Sequence, residues 1–244
     1  MDKRQISQHI SKQYNEELED LREKVLAMGG MVEKQVEDAL QSLIDLNVED
    51  AQIIIEKDAQ VNMFEVKIDE ECTQVLAKRQ PAASDLRLIV AIIKTVTDLE
   101  RIGDEAEKIA KMAVALAEDE RTFSPQRNHL NSLNTLGKHV IDMIRLSLDA
   151  FARMDVDAAM DVARLELKID DEYVGLSRQL ITYMIEDPRS ISSMLDISWA
   201  ARALERIGDH ANNIAEYTIY LVQGKDVRHT SIERMQQIAN NKRK

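Results

Sequence analysis

The feature that most constrains this chain is a dodecamer that it carries twice: "LERIGDEAEKIA" at residues 99–110 and "LERIGDHANNIA" at 204–215. Nine of the twelve letters agree, at an offset of 105 residues. A second pair of markers, Pro81 and Pro188, stands at the similar offset of 107. Self-similarity of this kind means that one supersecondary unit occurs twice. Composition decides what kind of unit it is. Seven glycines and three prolines in 244 residues offer little of the turn chemistry that a sheet protein needs. The chain is 44% apolar but only 4% aromatic, so its core must be built from Leu, Ile, Val, Ala and Met, as in a helical protein.

Prolines belong in the first turn of a helix and not in its interior, so Pro81, Pro125 and Pro188 read as helix starts. Two further breaks, "LNVEDA" (46–51) and "RMDVDA" (153–158), offer Asp50 and Asp157 as N-caps. The result is six long helices near 11–47, 50–79, 82–118, 126–153, 157–186 and 190–223. Leu18, Leu21, Val25, Met28, Val32, Val36, Leu40 and Leu43 keep the three-and-four spacing of a core face. Gly29-Gly30 fall inside the first helix as a candidate kink, with a faint echo at Gly137. The expected fold is all-α: six long helices forming two tandem, pseudo-symmetric antiparallel three-helix bundles. The first would span residues 11–120 and the second 125–223. Residues 1–10 and 225–244 are expected to be flexible tails.

Residues four apart share a helix face, so Glu100 projects with Asp104, and Glu205 with Asp209. One such pair is a common accident in an acid-rich chain; two with identical flanks are not. Counting outward from Pro81 puts Asp58 and Asn62 opposite Asp104 and Glu100, because short connections make neighbouring helices antiparallel. The same count about Pro188 puts Glu166 and Asp170 opposite Asp209 and Glu205. A gapless offset of 108 then pairs Asp58 with Glu166 and Asn62 with Asp170. The rival match of "KIDEE" (67–71) with "KIDDE" (168–172) has an offset of 101 and would need a gap inside a helix. Asp58, Asn62, Glu65 and Asp69 form one polar stripe. Looser counting places Glu37 or Asp38, and Asp142, at similar height on the first and fourth helices.

Clustered carboxylates repel unless a cation neutralises them. Arg101, Arg206 and Lys108 are near in sequence, but an all-oxygen cluster also suits hard metal ions. Gly103 and Gly208 cost about 1 kcal/mol each against alanine in a helix, and would leave room for an ion or for a neighbouring helix. The bland reading of the same residues is a solvated acidic face. His210 lies about 100° round the helix from Asp209 and is expected to be structural. Trp199 is expected in the core. Cys72 has no histidine in helical reach, so it is no candidate for a catalytic thiol.

The formal charge of −12 argues against nucleic acid as a partner. A single cysteine fits a reducing compartment. The longest purely apolar run, "LIVAII" (88–93), is far short of the roughly 20 residues of a membrane span. A soluble cytoplasmic protein is therefore expected. No nucleophile–base constellation or phosphate-cradling glycine loop appears. Neither dodecamer carries the Glu-x-x-His of di-iron bundles. Two readings remain: a helical regulatory scaffold with structural metals, or a metal-dependent hydrolase of nucleotides or pyrophosphate.

"RQPAASDLRLIVAIIKTVTDLERIGDEAEKIA" (79–110) and "MIEDPRSISSMLDISWAARALERIGDHANNIAEYTIYLV" (184–222) resemble the two signature repeats of the PhoU family. The likeness extends over essentially the whole chain. It implies a cytoplasmic negative regulator of the phosphate-starvation response and of high-affinity phosphate uptake. Such a protein would connect a phosphate importer ATPase to a phosphate-sensing histidine kinase, self-associate as a homodimer, and meet the membrane only through its partners. It also implies divalent or trivalent metal ions, among iron, manganese, zinc, magnesium and calcium, held by the Glu-x-x-x-Asp motifs at Glu100, Asp104, Glu205 and Asp209. On the spacing argument Asp58, Asn62, Glu166 and Asp170 would complete the ligand sets.

Overall fold

A computed structural model describes residues 12–118 and 126–240. Six long helices follow the expected order: α1 (Lys12–Asp45), α2 (Val48–Arg79), α3 (Ala83–Glu118), α4 (Gln126–Arg153), α5 (Val156–Glu186) and α6 (Ile191–Gln223). A single 3-10 turn, Pro188–Ser190, leads into α6, with Pro188 in its first position. The start proposed at Pro125, and the tail at residues 1–10, lie outside the described residues. No described helix is long and apolar enough to cross a membrane.

The α1–α2 and α4–α5 turns are built alike. Leu46 (φ 52°) and Met154 (φ 53°) each take a left-handed conformation after the first helix of their unit. The next residue caps the second helix. Asn47 accepts from the Asp50 amide, and Asp155 accepts from the amides of Asp157 and Ala158. The expected caps Asp50 and Asp157 are therefore corrected to Asn47 and Asp155. Asp50 and Asp157 sit in the first helical turn, where their charge favours the helix N-terminus. Both turns carry the 108-residue offset.

Each long helix buries one stripe, and the stripes of both units merge into one continuous core. The eight apolar residues named for α1 are all buried. The two dodecamer helices, α3 and α6, lie side by side at the centre; α1 and α2 flank α3, and α4 and α5 flank α6. Gly29 and Gly30 do not interrupt α1. Gly29 instead allows a close approach: a Cβ there would stand 2.6 Å from Leu148 Cδ2 on α4. The reciprocal contact exists on the other side, where a Cβ on Gly137 would stand 2.5 Å from Leu40 Cδ2. Both the glycines and the leucines are 108 residues apart, so one pseudo-symmetric contact joins α1 to α4.

Two further expectations are overturned. The segment 225–244, expected as a flexible tail, holds the helix α7 (Ile232–Ala239), capped by Ser231. Val227, Met235 and Ile238 are buried, and α7 packs on α5. Eight residues with apolar side chains at 232, 235, 238 and 239 suffice for a one-sided helix, a pattern hidden by the basic letters around it. Trp199, expected in the core, is 57% exposed. It continues an apolar strip at four-residue spacing with Ile191 and Leu195 on α6, and Ile181 and Ile185 on α5 are exposed as well.

Candidate metal centres

Each dodecamer helix faces its antiparallel neighbour through its Glu and Asp, and two acidic centres result. In the first, α3 contributes Glu100 and Asp104, and α2 contributes Asp58, Asn62, Glu65 and Asp69. Asp58 is buried to 7% exposure and takes an amide on each oxygen: Gln35 Nε2 donates to Oδ1 at 3.0 Å, and Asn62 Nδ2 donates to Oδ2 at 3.3 Å. Burial, then the charges of Asp104, Glu65 and Asp58, pushes the Glu100 carboxyl up from its ordinary value. Asp104 is raised by burial and then by Asp58, with Lys108 opposing. Glu65 is raised by burial and Asp69, and Asp69 by burial.

In the second centre, α5 contributes Glu166 and Asp170, and α6 contributes Glu205 and Asp209. Oxygens of Asp170, Glu205 and Asp209 all lie within 4.8 Å of one another, close enough to share one cation. Glu166 is held deeper. Burial pushes its carboxyl up to about 7, with Asp170, Asp209 and Glu216 adding to the effect, although Asn212 Nδ2 donates to its Oε2 at 3.0 Å. Asp209 is raised by burial and Asp170; Glu205 by burial and Asp209; Asp170 by burial and Asp171. Arg202 Nη1 donates to Glu205 Oε1 at 2.6 Å, leaving Oε2 without a partner.

The glycines fix the register. A Cβ on Gly103 would lie 3.4 Å from Val61 on α2; one on Gly208 would lie 3.5 Å from Ile169 on α5. Val61 and Ile169 are 108 residues apart. The two glycines thus meet the corresponding place on their neighbours, and the offset of 101 describes no contact here. All eight residues named from spacing stand at these two helix pairs. On α1 the residues expected at this height do not reach the centre. Glu37 is exposed and Asp38 half-buried, and the two share Lys34, while Gln35 reaches the first centre. On α4, Asp142 is exposed beside Arg145, and Met143 occupies the corresponding position near Gly208. The legible signal was a glutamine within the apolar stripe between Val32 and Val36.

The expected cationic neighbours are mostly engaged elsewhere. Arg206 Nε lies 3.1 Å from Glu105 Oε1, and Lys108 Nζ donates to the same oxygen at 3.0 Å. His210 is structural in its contacts: its Nδ1 lies 2.7 Å from Asp98 Oδ1 across the α3–α6 interface, where Asn213 Nδ2 also donates at 3.0 Å. Both centres fit a hard cation. Their donors are carboxylate and amide oxygens, and several buried oxygens have no hydrogen-bond partner: Gln35 Oε1, Asn62 Oδ1 and Asp69 Oδ1 in the first centre, Glu205 Oε2 and Asn212 Oδ1 in the second.

Comparison with known proteins points one way. The PhoU domain matches residues 25–113 and 133–218, which enclose both centres. The phosphate-specific transport system accessory protein PhoU homolog of Pseudomonas aeruginosa is 53% identical over 243 residues, covering 100% of this chain and 99% of that protein. The crystal structure of PhoU from the same organism superposes with a TM-score of 0.82 at 53% identity, covering 87% of this chain and 100% of that one. The phosphate transport system regulatory protein PhoU from Streptococcus pneumoniae superposes at 0.80 with 31% identity, covering 88% and 99%.

Proposed function

This chain belongs to the PhoU family, and from that premise we propose that it is a cytoplasmic, metal-binding helical adaptor that restrains phosphate uptake and the phosphate-starvation response. The observation that carries this reading is kinship over the whole length with an accessory protein of phosphate-specific transport. A role in regulating phosphate transport follows at that level. The finer reading is that it bridges a phosphate importer ATPase and a phosphate-sensing histidine kinase, as a homodimer, and reaches the membrane only through them.

The physical properties suit an adaptor. Exposed apolar side chains on α5 and α6 offer protein partners a surface. Asp58, Asn62, Glu100 and Asp104 would hold ions in the first centre; Glu166, Asp170, Glu205 and Asp209 would hold them in the second. A bound cation there cancels carboxylate repulsion and ties α2 to α3 and α5 to α6. A hydrolase of phosphorylated molecules would need free cations aimed at those acids. Arg206 and Lys108 converge on Glu105 instead, Arg202 is bound to Glu205, and Arg101 is the one cation named from the sequence that is left to act on Glu100 and Glu65.

Deletion of the gene is the test. Phosphate-starvation genes should rise in phosphate-rich medium, and unchanged expression would refute the regulatory reading. A phosphate-release assay with magnesium or manganese over a nucleotide panel and pyrophosphate should give no turnover. Turnover abolished by Glu100→Ala would favour the hydrolase.

A further inference from the structure

The two centres repeat the same carboxylate frame, but they differ in what α1 and α4 bring to them. We infer that Gln35 supplies the first centre with a neutral amide-oxygen ligand from α1, at the position where α4 gives the second centre only a thioether, so that the two centres hold their ions unequally. The inference rests on the reading of both acidic clusters as metal centres.

Gln35 is 8% exposed in the middle of an apolar stripe. Its Nε2 donates to Asp58 Oδ1, which fixes the amide. The reverse orientation would set oxygen against carboxylate oxygen. With the nitrogen committed, Oε1 is buried and has no hydrogen-bond partner. Its direction is defined by Gly103, which stands between Glu100 and Asp104 on α3. A Cβ on Gly103 would lie 3.2 Å from Gln35 Oε1 and 3.4 Å from Asp58 Oδ1. The unused oxygen therefore faces the space that the glycine leaves beside the acid pair. Asn62 Oδ1, also buried and unpartnered, belongs to the same centre. Buried amide oxygens are seldom left without partners, and amide carbonyls are ordinary ligands for hard, flexibly coordinated cations such as calcium.

In the second centre the corresponding α4 residue is Met143. Its Sδ lies 3.9 Å from where a Gly208 Cβ would be. A thioether is a poor ligand for hard ions. The first centre thus offers five carboxylates, Asp58, Glu65, Asp69, Glu100 and Asp104, with two amides, Gln35 and Asn62. The second offers four carboxylates, Glu166, Asp170, Glu205 and Asp209, with one amide, Asn212, whose Oδ1 is also buried and unpartnered. The α1 side adds an oxygen donor to the first centre, and the α4 side adds none to the second.

The test uses full-length protein stripped with chelator and titrated with manganese(II), followed by calorimetry and by the electron paramagnetic resonance signal of free manganese. Wild-type protein should show two classes of site. Gln35→Met, which copies the second repeat, should weaken one class by about tenfold or more and leave the other unchanged. Glu205→Ala with Asp209→Ala should remove the class that Gln35→Met leaves. Gln35→Glu keeps an oxygen but removes the N–H donor to Asp58, and it should retain the class that Gln35→Met weakens. Thermal melts in chelator establish that each variant is folded. A Gln35→Met titration superimposable on wild type would overturn the inference, and so would loss of the class in Gln35→Glu, which would reduce Gln35 to a prop for Asp58. Wild-type protein that binds no manganese would instead overturn the metal reading itself.

Discussion

Glu166 gives the most direct physical test of the second centre. Its carboxyl is pushed from 4.5 up to about 7 by burial and by three neighbouring acids. An acid with a raised folded pKa contributes no penalty below its unfolded pKa. Its penalty grows as pH rises from there and is fully present once pH passes the folded value, because the unfolded chain ionises more easily. The window here is pH 4.5 to 7. A tenfold change in an acid's dissociation constant is worth about 1.4 kcal/mol. Integration gives a penalty of about 1 kcal/mol at pH 5 and about 3 kcal/mol at pH 7.5, both upper bounds because water screens part of the charge.

Glu166→Gln keeps the shape and an oxygen for Asn212, and it removes the charge. In chelator at pH 7.5 the variant should exceed wild type by up to about 3 kcal/mol, or roughly 6–12 °C in Tm at 2–4 °C per kcal/mol. At pH 5 the gain should fall to a third of that or less. Saturating manganese should reverse the order, since only wild type presents the fourth carboxylate to the ion, and an ion that binds only the folded state stabilises it. The assay is thermal unfolding by circular dichroism at the two pH values, with and without metal. A variant no more stable than wild type at pH 7.5 in chelator, or one with an equal gain at pH 5, would refute the reasoning.

Three further outcomes follow from the geometry. Glu100→Ala with Asp104→Ala should lose part of the manganese-induced rise in Tm at pH 7.5, read in the same melts; an undiminished rise would return these acids to the status of a solvated face. Gly29→Ala should destabilise by about 1–3 kcal/mol in a denaturant titration through the Leu148 contact, less the helix-propensity gain of up to about 1 kcal/mol, and Leu148→Ala in the same chain should cancel the clash. His210→Glu should destabilise by about 3–5 kcal/mol, because it sets a second carboxylate against buried Asp98; a variant that melts like wild type would show that the pair contributes nothing to stability.

Much of this molecule was legible because helices report themselves twice, in periodicity and in punctuation. The α1 core face needed only the spacing of Leu18 to Leu43. Turn-counting about Pro81 and Pro188 needed only antiparallel neighbours, and it brought Asp58 and Asn62 to Glu100 and Asp104, and Glu166 and Asp170 to Glu205 and Asp209. The misses have a common cause: they depend on rotation about a helix axis, or on contacts between units, which a linear count does not contain. Gln35 and not Glu37 faces the first centre because a helix turns through 100° per residue, so an error of two residues points a side chain nearly the opposite way. Trp199 looked like core by its type, yet its position continues the exposed stripe of Ile191 and Leu195. The α7 helix was hidden because four apolar residues among amides and bases read as tail until α5 offers them a surface.

The three letters at which the dodecamers differ have physical explanations of the same kind. Glu105 and His210 occupy one position in the repeat, directly after Asp104 and Asp209, and both are buried at the α3–α6 interface. Glu105 there meets Arg206, and His210 meets Asp98. Pseudo-symmetry brings both to the same interface, and opposite partners demand opposite chemistry. Lys108 and Asn213 share another position. Lys108 reaches back to Glu105 within its own helix, while Asn213 crosses to Asp98. At the third, Glu107 pairs with Lys111 on the surface, and Asn212 turns inward to Glu166. The nine shared letters preserve the acid pair, the glycine and the apolar face. The three that diverged join the repeats and tune the second centre, and the nearest of them lies one residue from a proposed ligand. An ion that moves Asp104 or Asp209 therefore acts on a helix whose next residue is bonded to the other repeat, which gives the two centres a short covalent and hydrogen-bonded route to one another through α3 and α6.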